Sequence, residues 1–150
     1  MTRIWLAALI GLMFSFSLAG APGFHGQCAG GTLEGISKSI AELHIAGIEE
    51  FVFYCGKVEF RVPYGRINTV EYGQEVSRRY AAAVLISPVL LLSKERRHYV
   101  TLNFTDRYGI HQAVVFRVEK TDIRSVLAGL EARTGRRVEY QDDEARKGGN

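Results

Sequence analysis

The sequence is poor in the residues that would set it apart from an ordinary globular chain. Two cysteines in 150 residues exclude a disulfide-dense mini-protein. Three prolines exclude a collagen-like repeat, and 47% hydrophobic against 23% charged residues exclude a disordered chain. Charge of neither sign dominates. Nineteen Lys and Arg stand against sixteen Asp and Glu, a net +3, too small an excess to argue for nucleic-acid binding. Catalytic signatures are missing too: there is no Gly-x-Ser-x-Gly, His-Glu-x-x-His, Gly-x-Gly-x-x-Gly or phosphate loop. His25, His44, His98 and His111 lie 13 residues or more apart, so none has a partner at metal-ligand spacing. These absences point to a non-enzymatic chain with no catalytic residue, no metal and no cofactor. Its length leaves room for one domain.

What is present begins with a leader. Arg3 precedes an uncharged apolar run, and Ser17-Leu18-Ala19 supplies the small-x-small pattern of a peptidase site. Residues 1–19 are therefore expected to be a cleaved signal peptide, which places the mature chain in the periplasm or cell envelope. The alternative is an N-terminal membrane anchor. The fifteen residues 4–18, if helical, reach about 22 Å, short of the roughly 30 Å hydrocarbon core. Cys28 follows His25-Gly26-Gln27 rather than small apolar residues, unlike a lipid-attachment site. In an exported chain Cys28 and Cys55 can form one disulfide, worth about 3–4 kcal/mol by loop closure. They can equally remain two thiols, with Cys55 packed as a small hydrophobe.

Beyond a 20–39 segment without clear periodicity, the body reads as short strands. Ala41, Leu43 and Ile45 alternate with polar residues, 50–55 is rich in aromatic strand formers, and Val58, Phe60 and Val62 alternate with Lys57, Glu59 and Arg61. Pro63 ends that run because it cannot donate to a ladder. Residues 67–72 form a further short strand, and 98–105 and 110–119 form a hairpin about Gly109. The period then changes. Ile123, Val126, Leu127 and Leu130 mark an amphipathic helix, capped by Thr121 or Asp122 and ended by Gly135. Val138 to Tyr140 adds an extended piece, and the charged stretch 141–150 reads as a flexible tail. The expected fold is mainly β, a small barrel or bent sheet with one C-terminal helix.

The run Phe60-Arg61-Val62-Pro63-Tyr64-Gly65-Arg66-Ile67, continuing through Val70 to Tyr72, resembles the strand, Val/Ile-Pro-Tyr, strand element of bacterial PH-like (pleckstrin-homology-like, GRAM-related) domains. The similarity spans 40–140 and is strongest to small exported members without an assigned activity. It implies about seven antiparallel strands capped by the helix, and a binding or scaffolding role. It transfers no catalytic residue. Phosphoinositide-binding members use a basic motif between their first strands, whereas 42–60 holds only Lys57 as a Lys or Arg.

One segment fits no regular period. Residues 80–93 carry no charge, while Arg78, Arg79, Lys94, Arg96 and Arg97 flank them against the single acid Glu95. Twelve apolar positions, even if helical, span about 18 Å and cannot cross a bilayer. Three readings stay open: buried core; an apolar hairpin, with Leu85, Leu90 and Leu91, docking on an anionic membrane surface through its arginines; or an interface with an envelope protein. The expected function is docking through 78–98. The alternative is small-ligand binding in the barrel mouth, with 80–93 merely core.

Overall fold

The computed structural model describes residues 23–76 and 97–149. Eight strands form one sheet: β1 (Phe24–Gly31), β2 (Ser39–His44), β3 (Glu50–Cys55), β4 (Val58–Pro63), β5 (Ile67–Gly73), β6 (His98–Thr105), β7 (His111–Val118) and β8 (Val138–Tyr140). Two helices follow β7, α1 (Ile123–Thr134) and α2 (Asp143–Gly149). The spatial order is β4-β3-β2-β1-β7-β6-β5-β8, so the sheet has two edges and does not close. All pairs are antiparallel except β5 with β8.

The concave face carries the core. Phe51, Phe53 and Phe60 stack along β3 and β4, and Phe116 of β7 meets Phe53 edge-on at 4.9 Å between centroids. Such pairs add about 0.5–1.5 kcal/mol beyond area burial. Val70, Val100, Leu102 and Val114 extend the layer, and Ile123, Val126, Leu127 and Leu130 of α1 pack over it. Their spacing by three, four and seven residues puts all four on one helical stripe. Gly135 ends α1 in the left-handed region at φ 67°, and its N–H bonds the Glu131 carbonyl. At the other end Asp122 occupies the capping position without a side-chain hydrogen bond. The Ile123 N–H goes instead to the Glu119 carbonyl.

The structure corrects the sequence reading in three places. The strands number eight, not seven, because β1 occupies the stretch read as an N-terminal segment. Glycine conceals it: a Cβ on Gly26 would stand 2.4 Å from the Arg117 carbonyl oxygen, so close backbone approach replaces side-chain alternation. The antiparallel expectation fails at β8, where Glu131 Oε1 receives the Val138 N–H and turns the chain alongside β5. The expected single helix and flexible tail give way to a second helix, α2, capped by Asp142 Oδ1 on the Ala145 N–H. Ala145 and Gly149 are buried, and small size is what admits them. A Cβ on Gly149 would lie 2.8 Å from the Tyr140 ring.

Cys28 and Cys55 form a disulfide with a Cα separation of 5.8 Å. It joins β1 to β3 across β2, where Ser39 faces Cys28 and Ala41 faces Cys55. Both β2 residues at the crossing are small. A second apolar cluster, Ala29, Val76, Tyr99, Ala113 and Val115, is buried apart from the main core, on the reverse side of β6 and β7. Residues 113–116 are therefore buried on both faces, as central strands are.

Leu127 sits in the middle of the α1 stripe and is buried. Leu127→Asp should cost several kcal/mol, comparable to the stability of a whole domain, by stranding a carboxylate among apolar groups. Thermal unfolding followed by circular dichroism checks this, and an unchanged Tm would show that α1 does not stabilise the sheet.

Candidate functional site

An opening lies where the sheet fails to continue from β4 to β5. β4 ends at Pro63, and a 3-10 turn (Tyr64–Arg66) swings the chain into β5 at the far end of the strand order. Tyr64 anchors this corner: its ring is buried and its hydroxyl donates to the Ile45 carbonyl at 2.8 Å. Burial raises the Tyr64 pKa, so the phenol stays protonated and remains a donor. Facing the corner are the β1–β2 loop, at Leu33 and Glu34, and the β6–β7 hairpin, 105–112.

Between these parts lies a groove of about 670 Å³. Phe60, Val62, Pro63, Phe104 and Leu33 make it apolar, and Arg61, Arg66, Arg107, Glu34, Glu50 and Asp106 stand around it. The charges balance in number but not in availability. Arg61 binds Glu59 at 2.5 Å and lies 3.7 Å from Glu50, while the Tyr54 hydroxyl donates to Glu59 at 2.7 Å. The Tyr54 hydrogen bond, then that of Arg61, holds the Glu59 carboxyl below its ordinary pKa. Asp106 is occupied as well. It accepts the N–H groups of Tyr108 and Ile110 at 2.8 and 2.9 Å and the Gln112 amide at 3.1 Å.

Among the described residues neither Arg66 nor Arg107 makes a close ion pair, although the Arg107 charge contributes to lowering the pKa of the neighbouring Asp106. Both arginines are exposed, and the Arg107 guanidinium lies 5.1 Å from the centroid of the Tyr108 ring. Two exposed guanidinium groups thus border an aromatic and aliphatic groove. Guanidinium groups match carboxylate and phosphate oxygens in geometry, so an anion with an apolar body is the chemistry this groove suits. A shallower depression on the convex face, lined by His25, Ile40, Glu42, Tyr54 and Gly56, lacks such a combination.

Arg78, Arg79, Leu85, Leu90, Leu91 and Arg96 lie outside the described residues. Arg97 is described, and its N–H bonds the Gln74 carbonyl at 3.2 Å. Next to it His98 Nδ1 stands 2.5 Å from the hydroxyl of Tyr72. Burial lowers the His98 pKa and raises that of Tyr72, so both are neutral near pH 7. Tyr72 is fully buried. Cys55 is held in the disulfide rather than packed as a free thiol, and offers no thiolate. Among the described residues no three histidine, cysteine or carboxylate groups could hold one metal ion, and no helix is long and apolar enough to cross a membrane.

Sequence reasoning missed Arg66, Arg107 and Phe104 as members of one site. A lone arginine in a turn is ordinary, and only the corner and the hairpin bring the two together.

Asp106 gives a pH test of the hairpin wall. Hydrogen bonds, first that from the Ile110 N–H, depress its pKa, so its stabilising effect is complete above the unfolded carboxylate value and is lost as pH falls through the folded one. Asp106→Asn should therefore lower Tm most near neutral pH. The difference from wild type should shrink toward about pH 2, below the ordinary carboxylate range. A difference independent of pH would mean the carboxylate does not support the hairpin.

No protein-family model matches the chain, nor does any curated protein or solved structure.

Proposed function

We propose that the chain is an exported, non-catalytic binding domain of the cell envelope, and that its binding site is the groove at the open corner of the sheet. One observation carries this reading: Arg66 and Arg107, neither of them in a close ion pair among the described residues, flank an apolar groove built by Phe60, Val62 and Phe104. Buried aromatic surface supplies affinity without specificity, whereas two guanidinium groups at its border select an anion. The leader over 1–19 supports export, and the resemblance of 40–140 to PH-like domains supports binding over catalysis.

A second reading is docking of 78–98 on a membrane surface or an envelope protein. The sequence favours it, because residues 80–93 carry no charge and are flanked by Arg78, Arg79, Lys94, Arg96 and Arg97.

Titration of the isotope-labelled mature chain with decanoate distinguishes the two. The groove reading predicts amide shifts at Phe60, Val62, Arg66, Phe104 and Arg107, with affinity falling about tenfold for each of Arg66→Ala and Arg107→Ala, the loss of one charge-assisted contact apiece. Flotation with anionic vesicles and no shifts at the groove would instead favour 78–98 and contradict the groove.

A further inference from the structure

The hydrogen-bond register says more about what the groove accepts. Antiparallel pairs alternate between residues that exchange both main-chain bonds and residues that exchange none. The Tyr64 N–H bonds the Glu49 carbonyl, next in register to the Glu50–Pro63 pair. By alternation Val62 and Phe60 then bond to β3, while Arg61 and Glu59 do not. The Gly56 N–H to the Ile40 carbonyl gives the same phase from the other side of β3. It turns Tyr54 and Val52 toward β2, leaving Phe53 and Phe51 for β4. The outward row of the edge is thus the N–H and C=O of Glu59, the N–H and C=O of Arg61, and the C=O of Pro63.

This row runs along the groove whose apolar residues are Phe60 and Val62 of the same strand. We infer that the groove's ligand is an extended peptide segment bearing an acidic side chain, added to the sheet as a ninth strand beside β4. The inference rests on the groove being the binding site. Alternate side chains of such a strand would point inward, between Phe60, Val62 and Phe104, while the others stay in solvent beside Glu59 and Arg61. An aspartate at the Pro63 end would meet Arg66 and Arg107. Pro63 presents no N–H there, which limits pairing to a short segment, and the Glu59–Arg61 pair discourages indiscriminate edge-to-edge association.

The test is a six-residue peptide of alternating valine and threonine ending in aspartate, titrated into the labelled mature chain. The expected result is that the Glu59 and Arg61 amides shift and become protected from hydrogen exchange. Methylating every second peptide nitrogen on the bonding side should weaken binding at least tenfold, as should replacing the aspartate by lysine. Arg61→Pro, which removes an outward N–H and no bond to β3, should bind the peptide at least tenfold more weakly than Arg61→Ala. If the methylated peptide binds as well as its parent and the β4 amides stay unchanged, strand addition is wrong, while decanoate binding still upholds the groove. If neither peptide nor decanoate binds, the groove reading itself fails. Protection of the Glu59 and Arg61 amides without peptide, growing with protein concentration, would mean that a second copy occupies the edge and would also overturn the inference.

Discussion

The break in pairing between β4 and β5 is the constraint on which the rest of this molecule turns. The two strands are consecutive in the chain yet stand near opposite ends of the strand order. Pro63 has no N–H to offer on the outward edge, and Tyr64, clamped to the Ile45 carbonyl, fixes the direction in which the chain departs. Had β4 and β5 formed an ordinary hairpin, β4 would have had no free edge and the groove would have been filled by sheet. The open corner instead leaves Phe60 and Val62 at a boundary, with Arg66 just beyond it.

An open edge is useful only if it is stiff, and the first half of the sheet is stiffened twice. The disulfide ties β1 to β3 across the small residues Ser39 and Ala41. The aromatic layer of Phe51, Phe53, Phe60 and Phe116 binds β3 and β4 to β7. The exposed Glu59–Arg61–Glu50 contacts add little by comparison, since surface ion pairs in high dielectric contribute about 0–1 kcal/mol. The opposing wall, the β6–β7 hairpin, owes its shape to Asp106, whose carboxylate gathers two N–H groups and an amide across Gly109.

Where burial acts on alternate side chains, the sequence disclosed the fold. The runs 58–62, 98–105 and 111–118 and the α1 stripe all read directly, since one face of each is apolar. β1 was illegible because Gly26 and Gly31 serve by lacking side chains. α2 was illegible because it docks through Ala145 and Gly149, which look like tail residues. The cysteine pair was visible as a possibility, but the 5.8 Å approach depends on how β2 is crossed. The groove drew on four segments far apart in the chain, so no spacing could announce it. The apolar block, the loudest sequence feature, concerns residues mostly outside those described.

The most direct measurement is amide hydrogen exchange along β4 in the free monomer. An open edge predicts slow exchange at Phe60 and Val62, whose N–H groups bond to β3, and exchange faster by orders of magnitude at Glu59 and Arg61. Equal protection at all four positions would show that the edge is already paired, and the account built on the open corner would be wrong.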